Sequence, residues 1–315
     1  GTFNSTHTFQ ACALNHSAIS PNSYIIIFLI FNCFIFLYTH YNIKFMKFNT
    51  TVILVSFKSD KIIEKALLRL KNKANLLIIE NSNSDNIQKL EKKYNNLKVI
   101  INKNKGFGNA ANIGAKLAKT KFIIFISPDA IIEKNGLKKI EEISKNLDNK
   151  FGILIPSEKK NKLKKSKIIL NPMGSSIMFF DRKKFLKYGG FDENYFLYFE
   201  DIDIQKNFLN KNEKIYKINV FYDHLHGSHD MNFKFEIEVN RNWHYMWSKF
   251  YYLKKNHMYS KAIIATLPTF LRSFFKIIFY YFINTHKYYI YKGRFLGLLN
   301  AYIGNKSWYR PALKN

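Results

Sequence analysis

The 315-residue chain carries 50 Lys and Arg against 22 Asp and Glu, yet several of its few carboxylates fall where chemistry could use them. Asp129 closes the run Lys121 to Ile126 through Ser127-Pro128. Glu200, Asp201 and Asp203 open a helical pattern whose later face holds Ile204 and Phe208. Acidic residues at a helix N-terminus are favourable merely because they offset the macrodipole, and an Asp after a strand serves as a cap or turn former as readily as a ligand. Their number in so basic a chain, at the ends of elements, points further. Carboxylates near a diphosphate need a cation between them, and Mg²⁺ or Mn²⁺ suits because both favour oxygen ligands and substrate phosphates. His224 lies in YDHLHGSH, residues 222–229, three His within six residues. H-x-H lacks a further zinc ligand at familiar spacing, so one His in a mixed carboxylate and phosphate site is the easier reading. A surface loop or a satisfied buried His stays open beside it.

The elements that must position these groups alternate. TVILVS (51–56) is an apolar run bounded by polar residues, as a buried strand is. Helical spacing follows in Ile62, Ile63, Ala66, Leu67 and Leu70, then strands at 76–79, 97–101 and 121–126, with helices around 86–94, 107–118 and 137–147. Four βα-type units predict an α/β, Rossmann-like doubly wound and mostly parallel sheet, with ligands at the strand C-terminal ends. Further strands are expected at 174–180 and 217–221, with Asp181 capping a short helix RKKFLKY. The run EKKNKLKKSK (158–167) reads as a solvated loop, with a basic acceptor-facing loop as the functional alternative.

Gly106-Phe-Gly108-Asn-Ala-Ala111 matches G-x-G-x-x-A, with Asp129 placed 21 residues after Gly108. A dinucleotide fingerprint would follow the first strand through an immediate tight turn. Here the glycines follow the third strand after the polar stretch NKNK (102–105), which argues against a nicotinamide or flavin enzyme.

Taken in order, these segments resemble the family 2 glycosyltransferases of GT-A fold, and within them the rhamnosyltransferase-like branch, over about Thr50 to Lys255. VILVSFKSD (52–60), containing Ser56, looks like the opening strand and nucleotide-facing loop. IIENSNSD (78–85) resembles V-D-N-x-S-x-D, with Asn81, Ser84 and Asp85 on matching positions and Glu80 in place of the Asp that contacts the base. NKNKGFGNAANIG (102–114) is similar to N-x-G-F-x-x-A-x-N-x-G through Asn104, Gly106, Phe107, Ala110, Asn112 and Gly114. ISPDA (126–130) resembles the metal motif N-P-D, which implies Asp129 as metal-binding carboxylate and donor contact. GGFDENYFLYFEDIDI (189–204) is close to G-G-F-D-E-x-F-F-x-Y-x-E-D-x-D. By this resemblance Asp201 is the general base, flanked by Glu200 and Asp203, and His224 rather than His226 is the second metal contact. The implied activity is inverting transfer of a sugar from a nucleoside-diphosphate donor to a hydroxyl of a cell-envelope glycan or lipid-linked acceptor. The branch ranks dTDP-rhamnose first and UDP-sugars next. The rival class is a non-catalytic nucleotide-sugar-binding or membrane-associated protein of the same fold.

The two ends differ in composition from this core. Residues 1–45 include an uncharged stretch, Tyr24 to Tyr38, short for a span of roughly 20 residues. They contain no basic n-region such as a signal peptide has, so they read as a dispensable extension or a short integral anchor. Residues 46–255 form the expected transferase domain, and 256–315 a basic aromatic helical region. From Asn232 onward there are 14 Lys or Arg and only Glu236 and Glu238. Within it Lys261–Ile283 is very apolar but carries Arg272 and Lys276. This suits peripheral contact with an anionic membrane, on the cytoplasmic side of a bacterial inner membrane, or a helix packed on the domain. Arg241 is placed near the acceptor or diphosphate, or on the surface. No nucleic-acid-binding module accompanies the charge. Two Cys exclude a disulfide scaffold or a Cys-rich metal site.

Overall fold

The computed structural model describes residues 48–161, 163–225 and 234–310. The expectations for residues 1–45 and for His226 lie outside the described residues. All the described residues fall in one compact unit, Phe45–Asn315.

The first half alternates as its periodicity predicts: β1 (Thr50–Ser56), α1 (Asp60–Leu70), β2 (Asn75–Glu80), α2 (Asp85–Lys93), β3 (Leu97–Ile101), α3 (Phe107–Leu117) and β4 (Phe122–Ile126). These four strands pair in parallel in the order β3-β2-β1-β4. Nearly every residue of β1, β2 and β4 is buried, which is why they read as unbroken apolar runs rather than alternating ones. Parallel pairing brings the C-terminal ends of β1, β2, β3 and β4 to one edge.

The second half continues the same sheet but not in the expected direction. It adds β5 (Ala130–Ile132), α4 (Gly136–Asn146), β6 (Ile153–Glu158), a 3₁₀ turn at Lys159–Asn161, β7 (Lys167–Ile169), β8 (Ile177–Asp181), α5 (Arg182–Lys187), α6 (Glu200–Asn210) and β9 (Ile215–His224). The nine strands run β3-β2-β1-β4-β8-β6-β9-β5, with β7 also on β9. β8 is antiparallel to both β4 and β6, so the sheet is mixed rather than mostly parallel throughout. The reason lies in residues 159–176. Among their described residues there is a 3₁₀ turn and the short β7 but no α-helix to return the chain across the sheet, as a parallel connection usually requires. The reversal has a consequence for the site: Ile126 of β4 stands opposite Ile177 of β8, so residues 174–176 meet the C-terminal end of β4.

Three long helices follow, α7 (Lys234–Asn256), α8 (Tyr259–Ile283) and α9 (Thr285–Tyr302). Trp243, Trp247 and Phe250 of α7 are buried with Leu298 and Ala301 of α9 in a second apolar core. Gly297 allows close approach here, since a Cβ on it would collide with the Trp243 carbonyl. The tail after α9 folds back on α7. Burial, foremost, pushes His244 down to about 3, so the ring is neutral. Its Nε2 donates to the Tyr309 carbonyl at 2.9 Å, leaving Nδ1 to accept from Ser307 Oγ at 2.8 Å.

Candidate active site

At their C-terminal ends, the first two strands carry paired polar groups. Ser56 and Glu80 are register partners across β1 and β2, and both are fully buried. Glu80 Oε1 accepts from the Ser82 N–H at 2.6 Å and from the Ser82 hydroxyl. Glu80 Oε2 and Ser56 Oγ have no partner among the described residues. Two neighbouring orphan polar atoms at the sheet edge are costly unless a ligand satisfies them. Asn81 is buried beside them, donating its N–H to the Ser56 carbonyl at 2.8 Å and accepting from Asn102 Nδ2 at 2.9 Å. A hollow of about 340 Å³ lined by Lys58, Lys61, Ser82 and Asn86 opens next to this set. Asp85 sits exposed in the first turn of α2, behind the cap Ser84.

The glycine segment behaves differently from a dinucleotide loop. Gly106 has φ +104°, and a Cβ on it would lie 2.5 Å from the Phe196 carbonyl oxygen. Phe107 N–H donates to that same oxygen at 3.0 Å, and Asn104 Oδ1 receives the Gly106 N–H at 3.2 Å. The close approach these glycines permit is therefore to the 191–196 backbone. Asn112, which the motif resemblance implies as a nucleotide contact, is instead hydrogen-bonded to that loop. Its Oδ1 accepts from Phe191 N–H at 2.9 Å, and its Nδ2 donates to the Phe191 carbonyl at 2.9 Å and to Glu193 at 3.0 Å.

Past β4, Ser127 Oγ donates to Asp129 Oδ1 at 2.5 Å. Pairing of β5 with β9 sets Ala130 opposite His224, and His224 Nε2 stands 3.2 Å from Asp129 Oδ2. Leu225 N–H also donates to the Asp129 carbonyl at 2.9 Å. No cluster of three or more His, Cys, Asp or Glu is arranged for a metal among the described residues. An adjacent carboxylate and imidazole still fit a hard divalent cation that takes its remaining ligands from phosphate oxygens and water, as Mg²⁺ typically does.

The residues that join the two acidic motifs were not singled out from the sequence. Ser127 N–H donates to the Ser176 carbonyl at 2.9 Å. One residue earlier, Ser175 N–H donates to Asp201 Oδ2 at 2.7 Å. Asp201 is thus linked to the Asp129 motif through two consecutive residues just before β8. Glycine-serine-serine ahead of an apolar run was the available signal, and it was legible only as a strand boundary.

Asp201 and Glu200 begin α6 after an unusual approach. Tyr198 and Phe199 both have φ +69°, a left-handed conformation costly for aromatic residues. α7 holds them there: Arg241 Nε donates to Tyr198 Oη at 2.6 Å, and Ser248 Oγ to the Leu197 carbonyl at 2.9 Å. Burial raises the Glu200 carboxyl to about 8, with the neighbouring Asp201 charge adding to the shift. Burial likewise raises Asp201 to about 6, opposed by the Ser175 N–H. Glu200 Oε2 has no partner among the described residues. Asp203 faces elsewhere. Its carboxylate receives Lys255 Nζ at 2.6 Å and Asn256 Nδ2 at 3.1 Å, and the same Nζ reaches Asp192 at 2.8 Å.

Residues 51–201, from β1 to Asp201, match the family described as Glycosyl transferase family 2. The sheet and the helices after it are a GT-A, Rossmann-like fold with a mixed core and a C-terminal helical extension. No curated protein sequence matches the chain. Among solved structures, S. aureus TarS 1–349 aligns at TM-score 0.47 and 16% identity, over 83% of this chain and 93% of that one. A longer TarS structure aligns at 0.48 and 15% over 80% of this chain, which spans 55% of it. TarS 1–349 in complex with UDP-GlcNAc aligns at 0.46 and 14%, over 83% and 93%.

Proposed function

We propose that this protein transfers a sugar from a nucleoside-diphosphate donor to an acceptor hydroxyl, with inversion at the anomeric carbon. The observation that carries this reading is the hydrogen-bonded link from Asp201 through Ser175 and Ser176 to Ser127 and Asp129. It sets a carboxylate of raised pKa beside an aspartate–histidine pair, at the edge where the parallel strands end. Asp201 takes the proton of the acceptor hydroxyl as that oxygen bonds to the anomeric carbon. The bond from that carbon to the diphosphate breaks, and the nucleoside diphosphate leaves with the electron pair. A single displacement of this kind inverts the centre. Burial raises the Glu200 carboxyl, which disfavours a second negative charge beside Asp201.

Asp129 and His224 are the residues to hold a Mg²⁺ or Mn²⁺ ion, which when bound offsets charge on the departing diphosphate. Ser56, Glu80 and Asn81 bind the nucleoside, with Glu80 Oε2 and Ser56 Oγ finding in it the partners they otherwise lack. Asn104, Gly106, Phe107 and Asp85 border that site. The donor ranking is dTDP-rhamnose, then a UDP-sugar, and the acceptor a cell-envelope glycan or lipid-linked sugar. The segment match to glycosyltransferases and the unpartnered Glu80 and Ser56 atoms support a nucleoside-diphosphate sugar as donor.

The test is calorimetric titration of the full chain with dTDP, UDP, GDP and NAD, each with and without Mn²⁺. Metal-dependent binding of one nucleoside diphosphate, lost in Asp129→Ala, is the expected result. No diphosphate binding by folded protein would overturn the reading. Binding of NAD alone would return Gly106–Ala111 to the dinucleotide role that its packing on Phe196 argues against.

A further inference from the structure

Helix α8 is inside out for a helix in water. Its three buried residues are small, Ala262, Thr266 and Ser273. Its large apolar side chains face outward instead: Ile264 is 71% exposed, Phe275 65%, Phe279 58% and Phe282 82%. A soluble amphipathic helix does the opposite. An exposed apolar face of this extent marks a contact surface. It is also the one helix among the described residues long and apolar enough to cross a membrane.

What covers this face can be argued from charge. α8 and α9 contain six Lys or Arg and no Asp or Glu. Lys261, Arg272, Lys287 and Lys292 are exposed. A second copy seated across a two-fold axis would bring two such acid-free surfaces together, and like charges oppose that. An anionic lipid surface complements them, and interfacial Phe and Tyr suit the headgroup boundary.

The same contacts decide between spanning and lying flat. α8 is fastened to α9 along its length. Thr266 Oγ1 and Tyr302 Oη are 2.9 Å apart, the Phe270 and Phe295 rings stack at 4.5 Å, and Lys276 Nζ donates to Tyr291 Oη at 2.8 Å. α9 in turn packs on α7, whose Arg241 and Ser248 hold the Tyr198 loop. Threading α8 through a bilayer would drag Lys287 and Lys292 into hydrocarbon, at several kcal/mol or more. We propose that α8 lies in the interface of an anionic bilayer, parallel to its plane, with Phe275, Phe279 and Phe282 inserted and Arg272 and Lys287 at the headgroups. This inference rests on the helical region alone and stands whether or not the nucleotide reading does.

Sedimentation of the full chain with vesicles tests it, using phosphatidylcholine alone and phosphatidylcholine mixed with phosphatidylglycerol. The wild type should pellet with the anionic vesicles at low salt and be released at high salt. Phe275→Ser/Phe279→Ser/Phe282→Ser should abolish pelleting with an unchanged melting temperature, because these side chains have little protein contact to lose. Arg272→Gln/Lys287→Gln should weaken binding to anionic vesicles roughly tenfold or more and leave the weak binding to neutral ones unchanged. Wild type remaining in the supernatant with both vesicles would overturn the proposal. So would a triple Phe variant that pellets like wild type, which would move the contact to another segment such as residues 24–38. A wild-type dimer that the triple variant converts to monomer, with no vesicle binding, would assign the face to a second copy.

Discussion

Glu200 and Asp201 are adjacent carboxyls in a site that disfavours charge, and the site treats them unequally. Asp201 receives the Ser175 N–H, which stabilises its anion, while one oxygen of Glu200 is buried without a partner. Between about pH 6 and about 8 the pair therefore shares one proton, and the Ser175 N–H on Asp201 favours its residence on Glu200. Asp201→Asn should lower kcat by roughly 10²–10⁴-fold while calorimetric donor affinity stays near wild type. For the wild type, kcat/KM should climb about tenfold per pH unit below about 6 and flatten above it, and equal activity at pH 5 and 7 would count against Asp201 as the base. Stability follows the opposite direction. Glu200 has a folded pKa above its ordinary 4.5, so its contribution is full below that value and is lost as pH rises through about 8. Glu200→Gln cannot ionise there, and its melting temperature should gain on wild type by a few degrees between pH 6 and 9. Of these residues, the acidic ones were legible because motif spacing and strand ends locate them without a structure. Asn112 was not, since a sequence cannot show whether a buried amide faces a ligand or turns back on a neighbouring loop. Ser175 was hidden for a related reason: its role is a backbone N–H, which any residue type supplies.

At the scale of elements, α7 completes a site whose family match ends at Asp201. Lys255 binds Asp203 of α6 and Asp192 of the Gly189–Glu193 loop with one ammonium group, and the Tyr251 hydroxyl donates to Asp192 at 3.0 Å. Asp203 is 5% exposed and Lys255 38%, so the network is partly screened on one side only. The Asp203 carboxylate is thus engaged in tying the start of α6 to α7. Lys255→Met leaves two carboxylates facing each other, and should destabilise by roughly 1–3 kcal/mol, less than a fully buried pair would because water reaches the lysine. The expected signature is a melting temperature lowered by several degrees and a fall in kcat, with donor affinity unchanged and Lys255→Arg restoring part of both. A change in donor affinity alone would instead place Lys255 in the nucleotide site. In the second half the sequence pattern predicted α4, α5, the start of α6, α8 and strands β8 and β9, but not β5, β6, β7 or α7. It did not reveal strand direction in the second half or the ties from 192 and 203 to 255, because apolar periodicity records which face is buried and not which partner buries it.

For the molecule as a whole, the helical region is a load on neither side of a boundary at residue 255 but a continuation of the domain's packing. α9 covers Trp243, Trp247 and Phe250 of α7, and the returning tail seats Ser307 and Tyr309 on His244 and lays the Arg310 guanidinium 3.4 Å from the Phe196 ring centroid. Phe196 is the residue whose carbonyl receives the Phe107 N–H and fits against Gly106. The Gly106 loop, the 191–199 loop and the C-terminal tail are thus one stack of contacts. Ending the chain at Asn256 would uncover three large side chains at roughly 2–3 kcal/mol each, comparable with the whole stability margin of about 5–15 kcal/mol typical of a domain. Such a truncation should give aggregated protein or a melting temperature more than 10 °C lower, with donor binding lost in proportion to the unfolded fraction. If the truncated chain instead melted like wild type and bound donor normally, the helices would be a dispensable appendage. The inside-out face of α8 would then serve attachment alone, with no share in holding the site.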